Sequence, residues 1–241
     1  MSQEKVKIPF EQKKIFDKMY SKFWQMNLRE KIISPDDKII IGFSGGKDSL
    51  LLLHILSTLM KNKKYNIKVL AIHVKNDEVG YHLDADFSRK LCEDLNVPFL
   101  VLDSERVAPK DIEDSDKTTF CLSCGKNRRR ALLKYAKENG YTSIALGHHM
   151  DDVAETLLLN QMFCGCIAGI PSQFVAKKYN VKFIRPLIDI PVVLIQQWTH
   201  YITLPILIRC NHESDSMRGE VRELLENLKK KHPFIVQSIA Q

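Results

Sequence analysis

The run IIIGFSGGKDSL, at residues 39–50, constrains the fold more than any other part of this chain. Its three isoleucines are typical of a buried strand, and the leucine-rich stretch from Asp48 to Met60 has the pattern of a helix. The glycine pair Gly45 and Gly46 stands between them. A strand, a tight glycine turn and a helix N-terminus form an anion site, because backbone N–H groups converge there and the helix dipole adds partial positive charge. The run therefore predicts a phosphate-binding loop.

This loop departs from the common nucleoside-triphosphate loop, G-x-x-x-x-G-K-[ST]. Aligned on Gly46 and Lys47, that pattern requires a glycine at position 41 and a hydroxyl at position 48, where the chain has Ile41 and Asp48. An ordinary strand-to-helix turn would use glycine for its positive φ angles, but it would leave the flanking serines and the aspartate unexplained. We predict that six consecutive residues surround the phosphate: Ser44, Gly45, Gly46, Lys47, Asp48 and Ser49.

Apolar runs and amphipathic stretches alternate along the rest of the chain. Strands are predicted in KIIIGF, IKVLAIHV, PFLVLD and SIALGHH. Helices are predicted from about Phe10 to Ile32, after the phosphate loop, in DADFSRKLCEDLN, from near Gly125, and from about Val153 to Met162. This alternation predicts an α/β fold in which a parallel sheet carries helices on both faces.

Length and composition are consistent with one folded domain with appendages, since 44% of the 241 residues are hydrophobic. We expect three regions: an N-terminal helical region at 1–37, a core at 38–190, and a helical C-terminal extension at 191–241 that carries Cys210. Lys and Arg number 36 against 29 Asp and Glu, so the net charge of +7 suits a polyanionic partner.

The cellular setting is predicted from what the sequence lacks. It has no apolar run of about 20 residues, and its start, MSQEKVKIPF, is too polar for a signal peptide. We therefore expect a cytoplasmic protein with no membrane partner. In that compartment the six cysteines are expected to be reduced thiols or metal ligands and not a disulfide framework.

The carboxyl ends of the predicted strands bring three segments together, because ligands of parallel sheets bind at that edge. They are the loop after Phe43, the strand end at His73 and Val74, and the segment from Gly147 to Asp152. The two carboxylates of that last segment, Asp151 and Asp152, are suited to holding Mg²⁺ against phosphate oxygens. A helix cap by either aspartate, with exposed histidines beside it, is the alternative that stays open.

The pair Cys121 and Cys124 is spaced C-x-x-C, which fits half of a zinc site, part of an iron–sulfur site or a redox pair. Cys210 precedes a predicted helix N-terminus, whose dipole favours a thiolate, so it is our choice for a third ligand. Three cysteines fit an iron–sulfur cluster with one open iron better than a closed zinc site. Cys92 is interpreted as a packing residue. Cys164 and Cys166 could contribute ligands, but they follow an apolar helix, so packing is the favoured interpretation for them as well.

Two basic clusters are candidates for contacting nucleic acid phosphates. The first lies beside the C-x-x-C pair and consists of Lys126, Arg128, Arg129 and Arg130. The second is the run Lys229 to Lys231, for which a helix C-terminus that complements the dipole is an equal alternative.

Taken together, SGGKDS, CLSCGKNRRR, ALGHHMDDVAETLLLN, IRPL and a late CN resemble the tRNA 2-thiocytidine synthetase (TtcA) family. This family belongs to the PP-loop N-type ATP pyrophosphatases, and the resemblance runs from about Lys38 to about Leu228. It explains Asp48, because a PP-loop holds the part of ATP that leaves as pyrophosphate and needs no hydroxyl there. One position departs from the family: Glu213 stands where members often have a second late cysteine.

The resemblance implies three cofactors and an assignment of residues to each. ATP would be bound by the phosphate loop with His73, Val74, Gly147 and Asp152. Mg²⁺ would be held by Asp48, Asp151 and Asp152, and a [4Fe–4S] cluster by Cys121, Cys124 and Cys210. Catalytic roles would fall to Lys47, Asp48, Asp151 and the three cluster cysteines.

The implied reaction is adenylation of the C2 oxygen of a cytidine in the tRNA anticodon loop, followed by its replacement with sulfur. The implied partners are tRNA and a sulfur donor such as a cysteine desulfurase or free sulfide, and a homodimer is left open. Three other functions stay open at this point. They are a tRNA 2-thiouridine synthetase, a ligase like tRNA lysidine synthetase with incidental cysteines, and a non-catalytic zinc- or nucleotide-binding RNA module.

Overall fold

The structure is a computed structural model that describes residues 10–76, 82–104, 117–205, 207–208 and 217–240. At residues 82, 117–122 and 207–208 only the backbone is described. The helices of the described part are α1 (Phe10–Glu30), α2 (Lys47–Met60), α3 (Ala85–Asp94), α4 (Lys117–Glu138), α5 (Met150–Phe163), α6 (Val192–Thr199), α7 (Met217–Lys231) and α8 (Ile235–Ala240). The strands are β1 (Lys38–Gly42), β2 (Lys68–Lys75), β3 (His82–Leu83), β4 (Phe99–Asp103), β5 (Ser143–Ala145), β6 (Gln173–Ala176), β7 (Val181–Ile184) and β8 (Leu207–Ile208).

Six strands form the main sheet in the order β4-β2-β1-β5-β7-β6. All neighbours are parallel except β6, which runs antiparallel to β7. From β1 the chain moves outward on one side to β2 and β4, and then returns to place β5 on the other side of β1. The strand order therefore reverses between β1 and β5, where sheets of this type bind ligands. The predicted α/β fold is confirmed.

Helices cover both faces of the sheet, which explains the uninterrupted isoleucines of β1. Ile39 and Ile41 belong to the larger core with α1 and α2, whereas Ile40 faces the opposite cluster with Leu132 and Ala136 of α4. All three isoleucines are fully buried. A strand buried on both faces has no polar alternation, and this is why the run reads as continuously apolar.

Three predicted boundaries are wrong by several residues. Helix α4 begins at Lys117 and not near Gly125, so the C-x-x-C pair lies within the helix. Helix α5 begins at Met150 and not Val153, because the Asp152 carboxylate accepts a hydrogen bond from the N–H of His149 and caps the first turn. Strand β5 ends at Ala145, since its partner β1 turns into the phosphate loop just beyond the paired Ile41.

The antiparallel hairpin of β6 and β7 was not predicted. Strand β6 is short and lies at the edge of the sheet, and its middle residues Phe174 and Val175 are exposed. An edge strand of four residues lacks the buried apolar run that identifies a central strand.

The C-terminal helices α7 and α8 pack on α5 through a third, small hydrophobic cluster. Its buried members are Met150, Ala154, Val221, Leu225 and Val236. This packing brings α7 alongside the first turns of α5, next to the phosphate loop. No helix in the described ranges is both long and apolar enough to cross a membrane.

Candidate active site

The phosphate loop folds back on itself between β1 and α2. Gly45 adopts the left-handed φ of 77°, which favours glycine. The Ser49 hydroxyl donates to the Gly46 carbonyl at 2.9 Å and accepts from the Ser44 N–H at 3.3 Å. The N-cap position of α2 is Gly46, which has no side chain to bond the first amides of the helix. Those amides are therefore available to an anion.

Lys47 and Asp48 form a charged pair in the first turn of α2. The Lys47 Nζ donates to the two carboxylate oxygens of Asp48 at 2.9 and 2.8 Å. Their side chains are 30% and 29% exposed, and both line the cavity in front of the loop. A cation and an anion thus stand where a metal-bound phosphate would meet the helix N-terminus.

Gly147 allows the segment after β5 to contact the phosphate loop directly. A Cβ at this position would lie 3.2 Å from the carbonyl carbon of Asp48 and 3.3 Å from its Cβ and carbonyl oxygen. Two of these atoms belong to backbone that begins α2, so they cannot move without shifting the helix. The glycine therefore sets the distance between the two halves of the site.

His149 and Asp152 begin α5 beside the loop. The His149 imidazole is buried, with Nε2 3.7 Å from Asp48 Oδ1 and Nδ1 3.5 Å from Asp152 Oδ2. The helix cap that the sequence allowed as an alternative is present at Asp152. The two histidines expected to be exposed beside it are not exposed. The neighbouring His148 has a pKa lowered to about 4. Burial is the main cause, and repulsion from Arg185, Arg218 and His149 adds to it, whereas Asp152 acts in the opposite direction.

Asp151 is buried and joins three helices. Its Oδ2 accepts the N–H of Val192 at 2.8 Å, at the start of α6, and its Oδ1 accepts from Lys229 Nζ of α7 at 2.8 Å. A carboxylate of this kind holds the surrounding helices in position, and it has lone pairs beyond these two hydrogen bonds.

Helix α7 places cations along the acidic face of α5. Arg222 donates to the buried Glu155 through Nε at 2.9 Å and through a terminal nitrogen at 3.2 Å. Arg218 lies 3.8 Å from Asp152 and 3.9 Å from Glu155. Sequence reasoning missed these residues, although D-D-x-x-E in one helix and R-x-x-x-R in another are spaced to place like charges on one face.

The loop, α5, α6 and α7 enclose a cavity of about 670 Å³. We call it the phosphate cavity. It is lined by Ser44, Gly45, Gly46, Lys47, Asp48, Arg128, His149, Asp151, Asp152, Glu155, Val192, Gln196, Leu204, Pro205, Arg222, Glu226 and Lys229. Among the described residues, no group of three or more histidine, cysteine, aspartate or glutamate side chains is arranged to hold a metal ion.

A second cavity of about 380 Å³, which we call the base cavity, shares Ser44 and Arg128 with the first. Both residues predicted at the end of β2, His73 and Val74, line it together with Leu132 and Leu146. The His73 ring is held by a 3.0 Å contact between its Nδ1 and the Phe43 carbonyl. The convergence predicted for the loop, the end of β2 and the segment after β5 is therefore present.

The C-x-x-C helix reaches the same edge of the sheet. The buried Cys124 Sγ accepts from the Nδ2 of Asn76 at 3.4 Å, and Asn76 directly follows β2. Cys121 lies one turn earlier in α4, with its side chain outside the described part, and Cys210 lies outside the described residues altogether.

The other three cysteines differ from one another. Cys92 is fully buried, and burial followed by the nearby Glu93 raises its pKa to about 12, as expected of a packing residue. Cys164 and Cys166 are exposed, so their interpretation as packing residues is wrong. Helix α5 ends at Phe163, and Gly165, with a φ of 64°, turns the chain away from the core.

Comparison with known proteins agrees with this geometry. The PP-loop domain family ATP_bind_3 matches residues 12–227. A tRNA-cytidine(32) 2-sulfurtransferase of Geotalea uraniireducens is 32% identical over 86% of this chain and 83% of its own length. Another, of Polynucleobacter asymbioticus, is 30% identical over 97% of this chain and 77% of its own length. The chain belongs to the PP-loop 2-sulfurtransferase family.

A solved structure supports the fold of this 2-sulfurtransferase family member. The U34-tRNA thiolase NcsA of Methanococcus maripaludis, determined with its [4Fe-4S] cluster, superposes with a TM-score of 0.73. The match covers 95% of this chain and 78% of that chain at 24% identity, which establishes a shared fold.

The four basic residues beside the C-x-x-C pair differ in their exposure to solvent. Arg128 is half-buried and lines both cavities. Lys126, Arg129 and Arg130 are exposed on α4, and Arg129 also reaches the base cavity. The three exposed residues stay candidates for contacting RNA.

Proposed function

We propose that this chain is an ATP-dependent tRNA-cytidine 2-sulfurtransferase that acts on cytidine 32, the position in the names of its relatives. One observation carries the proposal. The phosphate loop and the first turn of α5 meet at the reversal of strand order, around the phosphate cavity, and the Cys124 thiol lies at the same edge of the sheet. This arrangement supports an activating site and a sulfur-binding site that lie side by side.

ATP binding is assigned to the two cavities. The loop from Ser44 to Ser49 holds the phosphates, with its amides and the α2 dipole stabilising the pyrophosphate as it leaves. The adenine occupies the base cavity against Val74, with His73 beside it. Gly147 and Asp152 complete the site from the other side of the reversal.

Mg²⁺ is assigned to Asp48, Asp151 and Asp152, which all line the phosphate cavity. Asp48 is the most accessible of the three, and Asp151 keeps lone pairs beyond its two hydrogen bonds. Mg²⁺ in nucleotide sites is usually held by one or two carboxylates together with substrate phosphates, so the carboxylates present fit it. Bound there, it would neutralise charge on the separating phosphates.

The [4Fe–4S] cluster is assigned to Cys121, Cys124 and Cys210. The first two are three residues apart on α4, which places them on one face of the helix. The N–H that Asn76 donates to the Cys124 sulfur suits a thiolate ligand, whose negative charge such donors stabilise. Held by these three cysteines, such a cluster would supply a site for the sulfur that replaces the oxygen.

The chemistry divides between activation and substitution. The C2 oxygen of cytidine is a poor leaving group, and adenylation converts it into part of AMP, which leaves readily. Lys47, Asp48 and Asp151 would act on the first step, and the three cluster cysteines would position sulfur for the second. Lys126, Arg129 and Arg130 would contact tRNA phosphates.

The wider setting completes the proposal. The sulfur comes from a cysteine desulfurase or free sulfide, the protein acts in the cytoplasm, and a homodimer is its proposed assembly. The proposed division of the chain is 1–37, 38–190 and 191–241, with the last region supplying α7 to the phosphate cavity.

Mass spectrometry of tRNA nucleosides from a strain lacking this protein tests the function. We expect 2-thiocytidine to disappear and to return with a plasmid copy. Loss of a 2-thiouridine or of lysidine instead would assign the chain to one of the other PP-loop reactions. Anaerobically purified protein is expected to be brown, and a colourless, iron-free protein that still thiolates tRNA would contradict the cluster.

A further inference from the structure

Helix α7 supplies a residue to the phosphate cavity that neither the loop nor the sheet provides. We propose that Lys229 contacts the phosphate chain of ATP and stabilises the departing pyrophosphate. This inference rests on the proposed function and extends it, because it makes the C-terminal helix a working part of the ATP site.

The three lysines that end α7 lie in different surroundings. Lys230 Nζ donates to Asn227 Oδ1 at 3.0 Å on the protein surface. Both Lys230 and Lys231 are exposed. Lys229 follows the buried Val221 and Leu225 by eight and four residues, so helical spacing turns it toward α5. Its side chain is 24% exposed and lines the phosphate cavity. Complementing the helix dipole therefore accounts for Lys230 and Lys231, but it does not explain why Lys229 is directed toward the cavity.

The Lys229 ammonium is held in place and still has donor capacity. It donates to Asp151 Oδ1 at 2.8 Å and to Glu226 Oε1 at 2.6 Å. An ammonium has three N–H donors, so these two bonds leave a third for a phosphate oxygen. Asp151 is buried and Glu226 is largely exposed, which means that the buried partner fixes the position of the cation.

The charge balance of the phosphate cavity requires cations from α7. Its lining includes five carboxylates and four cationic side chains, of which only Lys47 belongs to the loop. Lys229 pairs with Asp151, and Arg222 pairs with Glu155. Without α7 these buried carboxylates would face the phosphates uncompensated and would repel them. Lys229 contacts Asp151, one of the carboxylates proposed to bind Mg²⁺, so the third N–H of its ammonium is the α7 donor placed to reach a phosphate oxygen when nucleotide enters.

Calorimetric binding of inorganic pyrophosphate, ATP and adenosine, with Mg²⁺ present, tests this role. We expect Lys229→Met to weaken binding of pyrophosphate and ATP by about tenfold or more, the effect of losing a charged hydrogen bond. Adenosine has no phosphate and is expected to bind the variant and the wild type equally. Lys230→Met, one residue along the same helix, is the matched control and should change none of the three.

Two further variants keep the outcome decisive. Lys229→Arg retains the charge and is expected to recover part of the pyrophosphate binding, while adenosine binding stays at the wild-type level. Lys47→Met reports on the phosphate loop itself. Unchanged pyrophosphate binding in Lys229→Met, with loss in Lys47→Met, would overturn this inference and leave the proposed function intact.

Other results are equally informative. Equal weakening of adenosine and pyrophosphate binding by Lys229→Met would mean that the lysine only maintains the shape of the site, which also overturns the inference. Wild-type protein that binds neither ATP nor pyrophosphate would instead remove the proposed function, and this inference with it.

Discussion

Single residues of this chain show how burial and close contact translate into measurable behaviour. His54 is partly buried and packs beside Phe16 and Trp198, with ring centroids 6.4 and 5.0 Å away. Burial, followed by repulsion from Lys61, lowers the pKa of His54 to about 4 from 6.5. The folded protein therefore holds this imidazole neutral at pH values where the unfolded chain protonates it.

We predict that His54 makes the protein less stable as the pH falls from 6.5 toward 4. In that window the unfolded state binds a proton that the folded state does not, so the free energy of unfolding rises with pH. A shift of this size amounts to about 3 kcal/mol across the window. Urea unfolding at pH 7 and pH 4.5 measures it. His148 acts in the same direction, so the contribution of His54 is the part of the slope that His54→Phe removes.

A second prediction at this scale concerns Gly147. In Gly147→Ala the new Cβ would lie 3.2 Å from the carbonyl carbon of Asp48, so the phosphate loop and α5 must separate. We expect a loss of roughly 1–3 kcal/mol in stability, as for other overpacked sites, and a higher KM for ATP. Gly169→Ala is the control, because its Cβ would meet only Val153 at 3.9 Å. Equal KM values for the two variants would contradict the close contact.

At the scale of elements, the pairing of α7 with α5 closes the phosphate cavity. The two helices share a small apolar cluster, and the ionic contacts surround it. The apolar cluster has only five buried members, so we expect the ion pair between Arg222 and Glu155 to contribute measurably to the packing of α7 on α5. This pair joins α7 to the second turn of α5.

We predict that Arg222→Met destabilises the protein by about 1–2 kcal/mol, because it leaves the buried Glu155 carboxylate with only the longer, 3.9 Å contact to Arg218, while Arg222 itself is half exposed. The double variant Arg222→Met with Glu155→Gln should lose less than the two single variants together, since no charge is then stranded. Chemical unfolding of all four proteins gives the coupling. Strict additivity would mean that the pair does not hold α7 in place.

The proposed function separates nucleotide activation from sulfur handling within the whole molecule. The phosphate loop and the first turn of α5 lie at the strand reversal, and α4 carries Cys124 to Asn76, the residue that follows β2. A site with two such parts should lose one function and retain the other when only one part is changed.

We predict that Cys121→Ala, Cys124→Ala and Cys210→Ala each abolish tRNA thiolation and leave ATP binding within about twofold of wild type, because all three are assigned to the cluster and Cys124, whose side chain is described, does not line the phosphate cavity. Cys92→Ala is the matched control and should retain thiolation, although filling its site with a smaller side chain costs roughly 1 kcal/mol of stability. Thiolation that survives Cys210→Ala but not Cys166→Ala would identify a different third ligand.

Much of this arrangement could be predicted from the sequence, because the interactions that produce it are local. Three isoleucines buried on both faces, a glycine turn and a leucine-rich helix identify the phosphate loop, and strand alternation brings His73 to it. Predictions failed where neighbours in space decide the outcome. The edge hairpin, the exposure of Cys164 and Cys166, and the start of α4 at Lys117 carry no distinct local pattern.

The sequence by itself determined the α/β class, the phosphate loop and the chemical types brought to one edge of the sheet. Only the tertiary structure decided which charged groups meet there. It turns Lys229 inward and leaves Lys230 at the surface, and it pairs Glu155 with Arg222 across 67 residues of chain. The physical reason is that backbone pattern depends on neighbours along the chain, whereas the pairing of buried charges depends on which helices pack together.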